Sequence, residues 1–304
     1  MRFPPEIYLI GAQKAGTSTL AYLLDQYPQI TVSQPKEPHF FTHNWDKELD
    51  WYRAKFVGSP NSVLVDASTT YSMAPLRNNK DGTQPSGDLQ GVSKLEGVPK
   101  KVFSVNPHAR FIYLLRDPVE RTYSSYWYGV RSGIESREFG AIIRNGSLRL
   151  DMSDYCGQLS LWLDYFPLDS FLFLLFEDMK ESPEHAAREC FEFILGKGQD
   201  APPVQLDSVR NQSYVNSRIG RRVYNLDRKR QKLFTRRPGL AKAWAYLASR
   251  IPRAITDRVH NTMIGSKPIP PMKEEDRDLL VEYFYERNRN LERLIGASLE
   301  KWQA

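Results

Sequence analysis

Short apolar runs alternate with amphipathic or polar segments along the first two thirds of the chain. Five of the runs have the length of a strand, and they cover residues 7–10, 30–33, 63–65, 111–115 and 171–176. Segments of helical or loop character lie between them. This alternation predicts an α/β fold with a central parallel sheet of about five strands flanked by helices.

Several helix and loop limits follow from the same pattern. A helix is expected over residues 17–27, because Leu23, Leu24 and Tyr27 pack back onto the sheet and Pro28 ends it. Residues 274–294 carry apolar side chains at near-helical spacing, which predicts a helix that docks on the core. Residues 78–99 are polar and rich in turn-forming types, so we expect a long mobile loop near the site.

Composition places the chain among ordinary globular proteins, with 304 residues of which 41% are hydrophobic and 26% charged. We expect one domain over residues 1–304, with a core over about 1–200 and a basic, mainly helical extension over about 201–304. No apolar window approaches ~18 residues, and the first strand begins at Ile7. The expectation is a cytoplasmic, bacterial protein without a signal peptide or membrane anchor. Cys156 and Cys190 lie outside any C-x-x-C pattern, which favours buried thiols.

The net charge of +6 is concentrated in residues 210–258, where many arginines and lysines face only Asp227 and Asp257. Two interpretations stay open for this segment. It is a solvated helical face, or it attracts an anionic nucleotide, a polyanion or a membrane surface. Residues 244–251 are amphipathic enough for peripheral contact with a membrane. Aromatic side chains in this segment are more often helix core, and no nucleic-acid partner is predicted.

A glycine-rich segment follows the first predicted strand and leads into the first predicted helix. It reads Gly11-Ala-Gln-Lys14-Ala-Gly16-Thr17-Ser18-Thr19. A turn of this kind surrounds a phosphate with backbone N–H groups. The nucleoside-triphosphate loop reads G-x-x-x-x-G-K-[ST], so the glycine spacing is kept but the lysine has moved into the loop. This departure indicates a different phosphoryl-like donor.

Charged and hydroxyl side chains also follow the next three strands. Lys36-Glu37-Pro-His39 follows the second, Asp66-Ala-Ser68 the third, and Arg116 with Ser124 the fourth. Ligands of open α/β sheets bind beyond the carboxyl ends of the strands, so these side chains are expected to meet. Each has a structural explanation when taken alone, such as an ion pair or a helix start. Their joint occurrence favours one site that binds a ligand with phosphates at two ends.

These residues carry a family resemblance. The chain resembles the sulfotransferases that use 3′-phosphoadenosine 5′-phosphosulfate (PAPS), most closely the branch of the heparan sulfate N- and O-sulfotransferases and their bacterial relatives. Residues 13–19 match the family's loop for the 5′-phosphosulfate. Residues 115–126, with the eight-residue step from Arg116 to Ser124, match its 3′-phosphate motif. Residues 36–41 resemble the segment that supplies the catalytic base. The resemblance spans nearly the whole chain and implies a P-loop-like fold.

The resemblance implies a role for each matched residue. Lys14 would neutralise charge on the oxygen that leaves the sulfuryl group. Glu37 would take the proton of the acceptor, with His39 as the other candidate base. Arg116 and Ser124 would bind the 3′-phosphate. The 5′-phosphate would be held by Ala15, Gly16, Thr17, Ser18 and Thr19. PAPS would be the co-substrate and adenosine 3′,5′-bisphosphate (PAP) the product, with no metal required.

Two segments depart from the heparan branch. Asp66 is followed by Ala67, where the 3-O-sulfotransferases carry a lysine that contacts the acceptor. The late Lys-Gly-Arg loop that covers the nucleotide is represented only by Ser266-Lys267-Pro268. Lys267 is therefore a nucleotide contact by resemblance, and part of that role falls to residues such as 216–218. The acceptor is expected to be a small molecule or a glycan that presents a hydroxyl or an amine.

Two other classes of function stay open. One is an ATP-using kinase or NTPase, for which Asp66 is a candidate magnesium-binding aspartate. Magnesium-dependent nucleotide hydrolysis would favour it. The other is a non-catalytic polyanion-binding protein that uses the basic segment 210–258. It predicts salt-sensitive binding that does not depend on Glu37.

Overall fold

A computed structural model describes residues 3–76, 92–206 and 268–302. Its centre is a parallel sheet with the strand order β2-β3-β1-β4-β5. The strands are β1 (Ile7–Gly11), β2 (Ile30–Val32), β3 (Val63–Asp66), β4 (Arg110–Leu115) and β5 (Phe171–Leu175). The α/β expectation is confirmed, and each of the five predicted strands is present with a difference of one residue at one end.

The sheet is buried because its central strands are apolar along their whole length. Every residue of β1 is buried, and so are the last five residues of β4. A continuous apolar sequence is typical of strands in a parallel sheet that is covered on both faces. After β1 the chain crosses to the β2 edge, whereas after β4 it continues to β5 on the other side. The carboxyl ends of β1 and β4 therefore flank the switch point at which α/β sheets bind ligands.

Helices flank the sheet. Their bounds are α1 (Thr17–Leu24), α2 (Leu49–Arg53), α3 (Val98–Val105), α4 (Pro118–Arg131), α5 (Phe139–Arg144), α6 (Leu148–Asp151), α7 (Tyr155–Leu163), α8 (Phe176–Glu181), α9 (Pro183–Leu195), α10 (Glu274–Asn288) and α11 (Leu291–Ile295). Short 3-10 helices cover Thr69–Ser72, Val92–Leu95, Leu168–Ser170 and Glu300–Trp302. Within these described ranges, no helix is long and apolar enough to cross a membrane.

Three predicted limits need correction. Helix α1 ends at Leu24 and not at residue 27, because the Asp25 carboxylate accepts the N–H of Val32 and ties the chain to β2. The predicted helix over 274–294 is two helices. The side chain of Asn288 bonds to the backbone of residues 153–156, which fixes the end of α10. The described part of the predicted 78–99 loop is helical, and α3 begins at Val98.

The C-terminal helices dock on the core, as predicted. Leu280 and Phe284 of α10 are buried in a cluster with side chains of α4, α5 and α6. Leu291 of α11 is buried in the main core. Cys190 is buried and Cys156 half-buried, and both are free thiols as predicted. The basic segment 210–258 and Lys267 lie outside the described residues.

Candidate active site

A cavity of about 920 Å³ lies beyond the carboxyl ends of β1 and β4. It is lined by the five side chains that the sequence singled out at three strand ends, namely Lys14, Glu37, His39, Arg116 and Ser124. Gly16 of the β1–α1 loop and three residues of the first turn of α1, namely Thr17, Ser18 and Thr19, line it as well. Ala15, the remaining predicted loop residue, is fully buried. Residues distant in sequence therefore line one cavity.

The β1–α1 turn is shaped by two residues in the left-handed region. Lys14 has φ 73° and Gly16, which caps α1, has φ 89°. The positive φ at position 16 favours glycine, and a Cβ there would lie 2.4 Å from Met179 Cε and 3.1 Å from Phe176 Cδ2, so these side chains would have to shift. The first amides of a helix lack the usual partners one turn earlier in the chain, so a phosphate group binds readily there.

Two of the predicted amide donors already have partners inside the loop. The N–H of Ala15 donates to the carbonyl of Ala12 at 3.1 Å, and the N–H of Thr19 donates to the carbonyl of Gly16 at 2.9 Å. The amides of residues 16–18 lie between these two bonds, at the start of α1. They are the better candidates for donors to an anion.

The Lys14 ammonium lies among cations and against an aromatic ring. Its Nζ is 5.4 Å from the centroid of the Tyr128 ring, and the Arg131 guanidinium is 5.4 Å from the same ring. Burial, followed by the charges of Arg131 and Arg116, lowers the pKa of Lys14 from 10.5 to about 8. A bound anion would favour the charged lysine, so this end of the cavity is suited to phosphate or sulfate groups.

Arg116 joins the end of β4 to the loop after β1. Its Nη1 donates to the Lys14 carbonyl at 3.0 Å, and its guanidinium lies 4.8 Å from the centroid of the Phe176 ring. The Tyr155 hydroxyl donates to the Arg116 carbonyl at 2.7 Å. Asp117 caps α4 by accepting the N–H of Glu120 at 2.8 Å, which fixes the helix that carries Ser124. Arg116 thus lines the cavity just before α4, and Ser124 lines it from within α4.

The Glu37 carboxylate is held by three donors. Its Oε1 accepts from Lys36 Nζ at 3.1 Å, and its Oε2 accepts from the hydroxyl of Thr69 at 2.9 Å and the N–H of Thr69 at 3.3 Å. Burial acts to raise its pKa, but the charges of Lys36 and His39 and these donors outweigh burial and lower the pKa. Glu37 is therefore ionised at neutral pH, and its side chain is 29% exposed. The same Lys36 Nζ donates to Thr17 Oγ1 at 3.2 Å, linking the carboxylate to the β1–α1 loop.

His39 lies beside Glu37, with its Nε2 3.8 Å from Glu37 Oε2. Its Nδ1 is 2.9 Å from the hydroxyl oxygen of Thr70, and its backbone N–H donates to Ser68 Oγ at 3.0 Å. Burial is the largest cause that lowers the pKa of His39, although the Glu37 carboxylate opposes it. His39 is therefore neutral at pH 7, and it can accept a proton or orient Glu37.

Asp66, the last residue of β3, does not line the cavity. Its side chain is fully buried and accepts from the hydroxyls of Tyr52 at 2.5 Å and Tyr71 at 2.7 Å. Burial raises its pKa to about 6. Asp66 therefore anchors the turn after β3 and is not available as the magnesium-binding aspartate of a kinase. In the part of the chain that the structure describes, no group of three or more His, Cys, Asp or Glu could hold a metal ion.

Among the residues of the cavity wall that were not identified from the sequence are Thr69, Thr70, Tyr128 and Arg131. Tyr128 and Arg131 follow Ser124 by four and seven residues on α4, a spacing that places all three on one helical face. Thr69 and Thr70 lie three and four residues after the end of β3. The helical spacing after Ser124 and the position of the two threonines shortly after the third strand were both present in the sequence.

Comparisons with known proteins find similarity to sulfotransferases. A family model described as "Sulfotransferase domain" matches residues 4–266. The bifunctional heparan sulfate N-deacetylase/N-sulfotransferase 1 of Caenorhabditis elegans is 26% identical in an alignment of 202 positions that covers 59% of this chain and 20% of that protein. Heparan sulfate glucosamine 3-O-sulfotransferase 6 of Mus musculus is 26% identical in an alignment of 199 positions that covers 62% of this chain and 52% of that protein.

Human carbohydrate sulfotransferase 15 is 24% identical in an alignment of 259 positions that covers 64% of this chain and 44% of that protein. The chain thus spans from a fifth to about half of the length of these curated relatives. A crystal structure of a sulfotransferase from Alicyclobacillus acidocaldarius matches over 100% of both chains with a TM-score of 0.63 and 19% identity. That match shows a shared fold.

Proposed function

Because the chain belongs to the sulfotransferase domain family, we propose that it transfers a sulfuryl group from PAPS to a hydroxyl or an amine of a carbohydrate or glycan-like acceptor. The observation that carries the proposal is that Lys14, Glu37, Arg116 and Ser124 line the same cavity. The names of the relatives support a glycan-like acceptor, since they act on heparan sulfate or carbohydrate. We treat residues 1–304 as one domain, since α10 and α11 pack against the core.

The donor would be bound through its two anionic ends. The amides of residues 16–18, with the hydroxyls of Thr17 and Ser18, would hold the 5′-phosphate at the start of α1. Arg116 and Ser124 would bind the 3′-phosphate through charge-assisted hydrogen bonds. Positive charge from Lys14, Arg116 and Arg131 supports this assignment, because the three residues line one cavity. Lys267 remains a further proposed contact to the nucleotide.

In the transfer step, the acceptor oxygen or nitrogen forms a bond to sulfur while the bond from sulfur to the 5′-phosphate oxygen breaks. Glu37 takes the proton that the acceptor loses, for which an ionised carboxylate held by Thr69 and Lys36 is suited. Lys14 neutralises the charge that develops on the departing oxygen. His39 orients Glu37 or accepts the proton in its place. PAP leaves with the electron pair of the broken bond.

The proposal is tested by incubating the protein with radiolabelled PAPS and a panel of acceptors. The panel contains glycan oligosaccharides, small alcohols, phenols and amines. We expect label to move to at least one carbohydrate acceptor in the presence of EDTA, and Lys14→Ala to abolish the transfer. Magnesium-dependent ATP hydrolysis without any sulfuryl transfer would overturn the proposal in favour of an NTPase.

A further inference from the structure

A second cavity of about 430 Å³ shares Arg116 and Ser124 with the first. Its remaining wall comes from α4, from α10 and from the segment that leads into α10. These residues are Glu120, Tyr123, Ile269, Pro270, Pro271, Met272 and Arg277. The two residues assigned to the 3′-phosphate therefore lie on the boundary between two spaces, and the second space contains another arginine.

Glu120 lies between the two guanidinium groups of this second cavity. One of its oxygens, Oε2, is 4.0 Å from Arg116 Nη2, and the other, Oε1, is 2.5 Å from Arg277 Nη2. The carboxylate thus uses one oxygen for each arginine. The side chains of Glu120 and Arg277 are 39% and 44% exposed, so a dissolved anion can reach the pair.

The position of Arg277 is fixed by the packing around it. It lies in the first turn of α10, whose Leu280 and Phe284 are buried against the core. The preceding segment is held by the Tyr123 hydroxyl, 2.8 Å from the Pro270 carbonyl oxygen and 3.2 Å from that of Pro271. Arg277 therefore extends from a helix that is packed on the core towards Glu120, whose other carboxylate oxygen faces Arg116.

We propose that Arg277 is a third side chain that binds the 3′-phosphate, and that Glu120 is the counter-ion which the phosphate replaces. The inference rests on the proposed function, because it concerns the same nucleotide. A phosphate dianion has three free oxygens and pairs with two guanidinium groups at once. The exposed pairs of Glu120 are weak and screened by salt, so the dianion displaces the carboxylate. Helix α10 would then contribute to the selection of 3′-phosphorylated nucleotides.

The test compares the binding of PAP and AMP by titration calorimetry, since these two ligands differ only in the 3′-phosphate. Arg277→Gln should weaken PAP binding about tenfold and change AMP binding by less than about twofold. The matched control is Arg289→Gln, because Arg289 is an exposed arginine just beyond α10 that pairs with Glu286. It removes the same charge and should leave both affinities unchanged. Glu120→Gln should strengthen PAP binding at low salt, because the internal competitor is lost.

The outcomes separate this inference from the proposed function. If the wild-type protein binds PAP and AMP equally well, the 3′-phosphate site itself is wrong. If the wild-type protein prefers PAP and Arg277→Gln keeps that preference in full, the donor site stands and the role of Arg277 is wrong. Equal weakening of PAP and AMP by Arg277→Gln would also refute the inference, because it would show no selectivity for the 3′-phosphate.

Discussion

The affinity of the protein for PAP should fall as the pH rises through about 8. In the ligand-free structure, burial and the charges of Arg131 and Arg116 lower the pKa of Lys14 to about 8. A bound 5′-phosphate stabilises the ammonium group and moves this pKa back towards its ordinary value. Binding therefore takes up a proton above pH 8. A reaction that takes up a proton becomes weaker as the pH rises.

The size of the effect follows from the fraction of charged Lys14. With a pKa of about 8, the free side chain is about 90% protonated at pH 7 and about 10% protonated at pH 9. If the complex keeps Lys14 protonated, the dissociation constant is about tenfold larger at pH 9 than at pH 7. The second pKa of a phosphate is about 6, so a window from about pH 7.5 to 9.5 isolates the lysine.

Calorimetry in two buffers with different ionisation enthalpies measures the proton uptake directly. At pH 8 we expect about half a proton per molecule of PAP bound. The control is Lys14→Met, which should bind more weakly, take up no proton and show a flat pH profile. A wild-type dissociation constant that stays constant across the window would refute the contact between Lys14 and the nucleotide. A pH slope that survives in Lys14→Met would refute it as well.

Two further predictions concern the two ends of the cavity. Lys14→Met should stabilise the ligand-free protein by about 1–3 kcal/mol at pH 7, because the lysine pKa is lower in the folded state than in the unfolded state. Urea unfolding should show this gain shrinking as the pH rises from 8 to 10.5 and absent above 10.5; no gain at pH 7 would contradict it. Thr69→Val removes a donor to Glu37, so it should raise the pKa of Glu37. The acid limb of the pH profile of kcat should move to higher pH, and kcat should fall about three- to tenfold. The matched control is Thr70→Val, because the hydroxyl of Thr70 contacts His39. A lower kcat in Thr70→Val with an unchanged kcat in Thr69→Val would assign the base to His39.

The strand-end arrangement could be predicted because apolar runs of strand length identify the parallel strands. Once the strands are known, Lys14, Glu37 and Arg116 must emerge at the same edge of the sheet. The shared helical face of Ser124, Tyr128 and Arg131 could also be predicted, because the latter two follow Ser124 at helical spacing. Local pattern was sufficient for these features because regular backbone geometry places the side chains.

Other features depend on packing between distant segments. Asp66 looks like a site carboxylate in the sequence, but Tyr52 and Tyr71 enclose it in the core. The break between α10 and α11 follows from the side chain of Asn288, which bonds to backbone atoms more than a hundred residues earlier in the chain. Apolar periodicity does not report such partners. The second arginine beside Glu120 was missed for the same reason, because Arg277 meets α4 only in the folded chain.

Glu37 is proposed to take the acceptor proton at a site that binds PAPS. The most direct measurement is single-turnover transfer of labelled sulfate from PAPS by the wild-type protein and by Glu37→Gln, with PAP affinity measured on the same preparations. We predict that Glu37→Gln slows transfer by about 10² to 10⁴ and binds PAP with nearly unchanged affinity. Transfer by Glu37→Gln at the wild-type rate would contradict the claim.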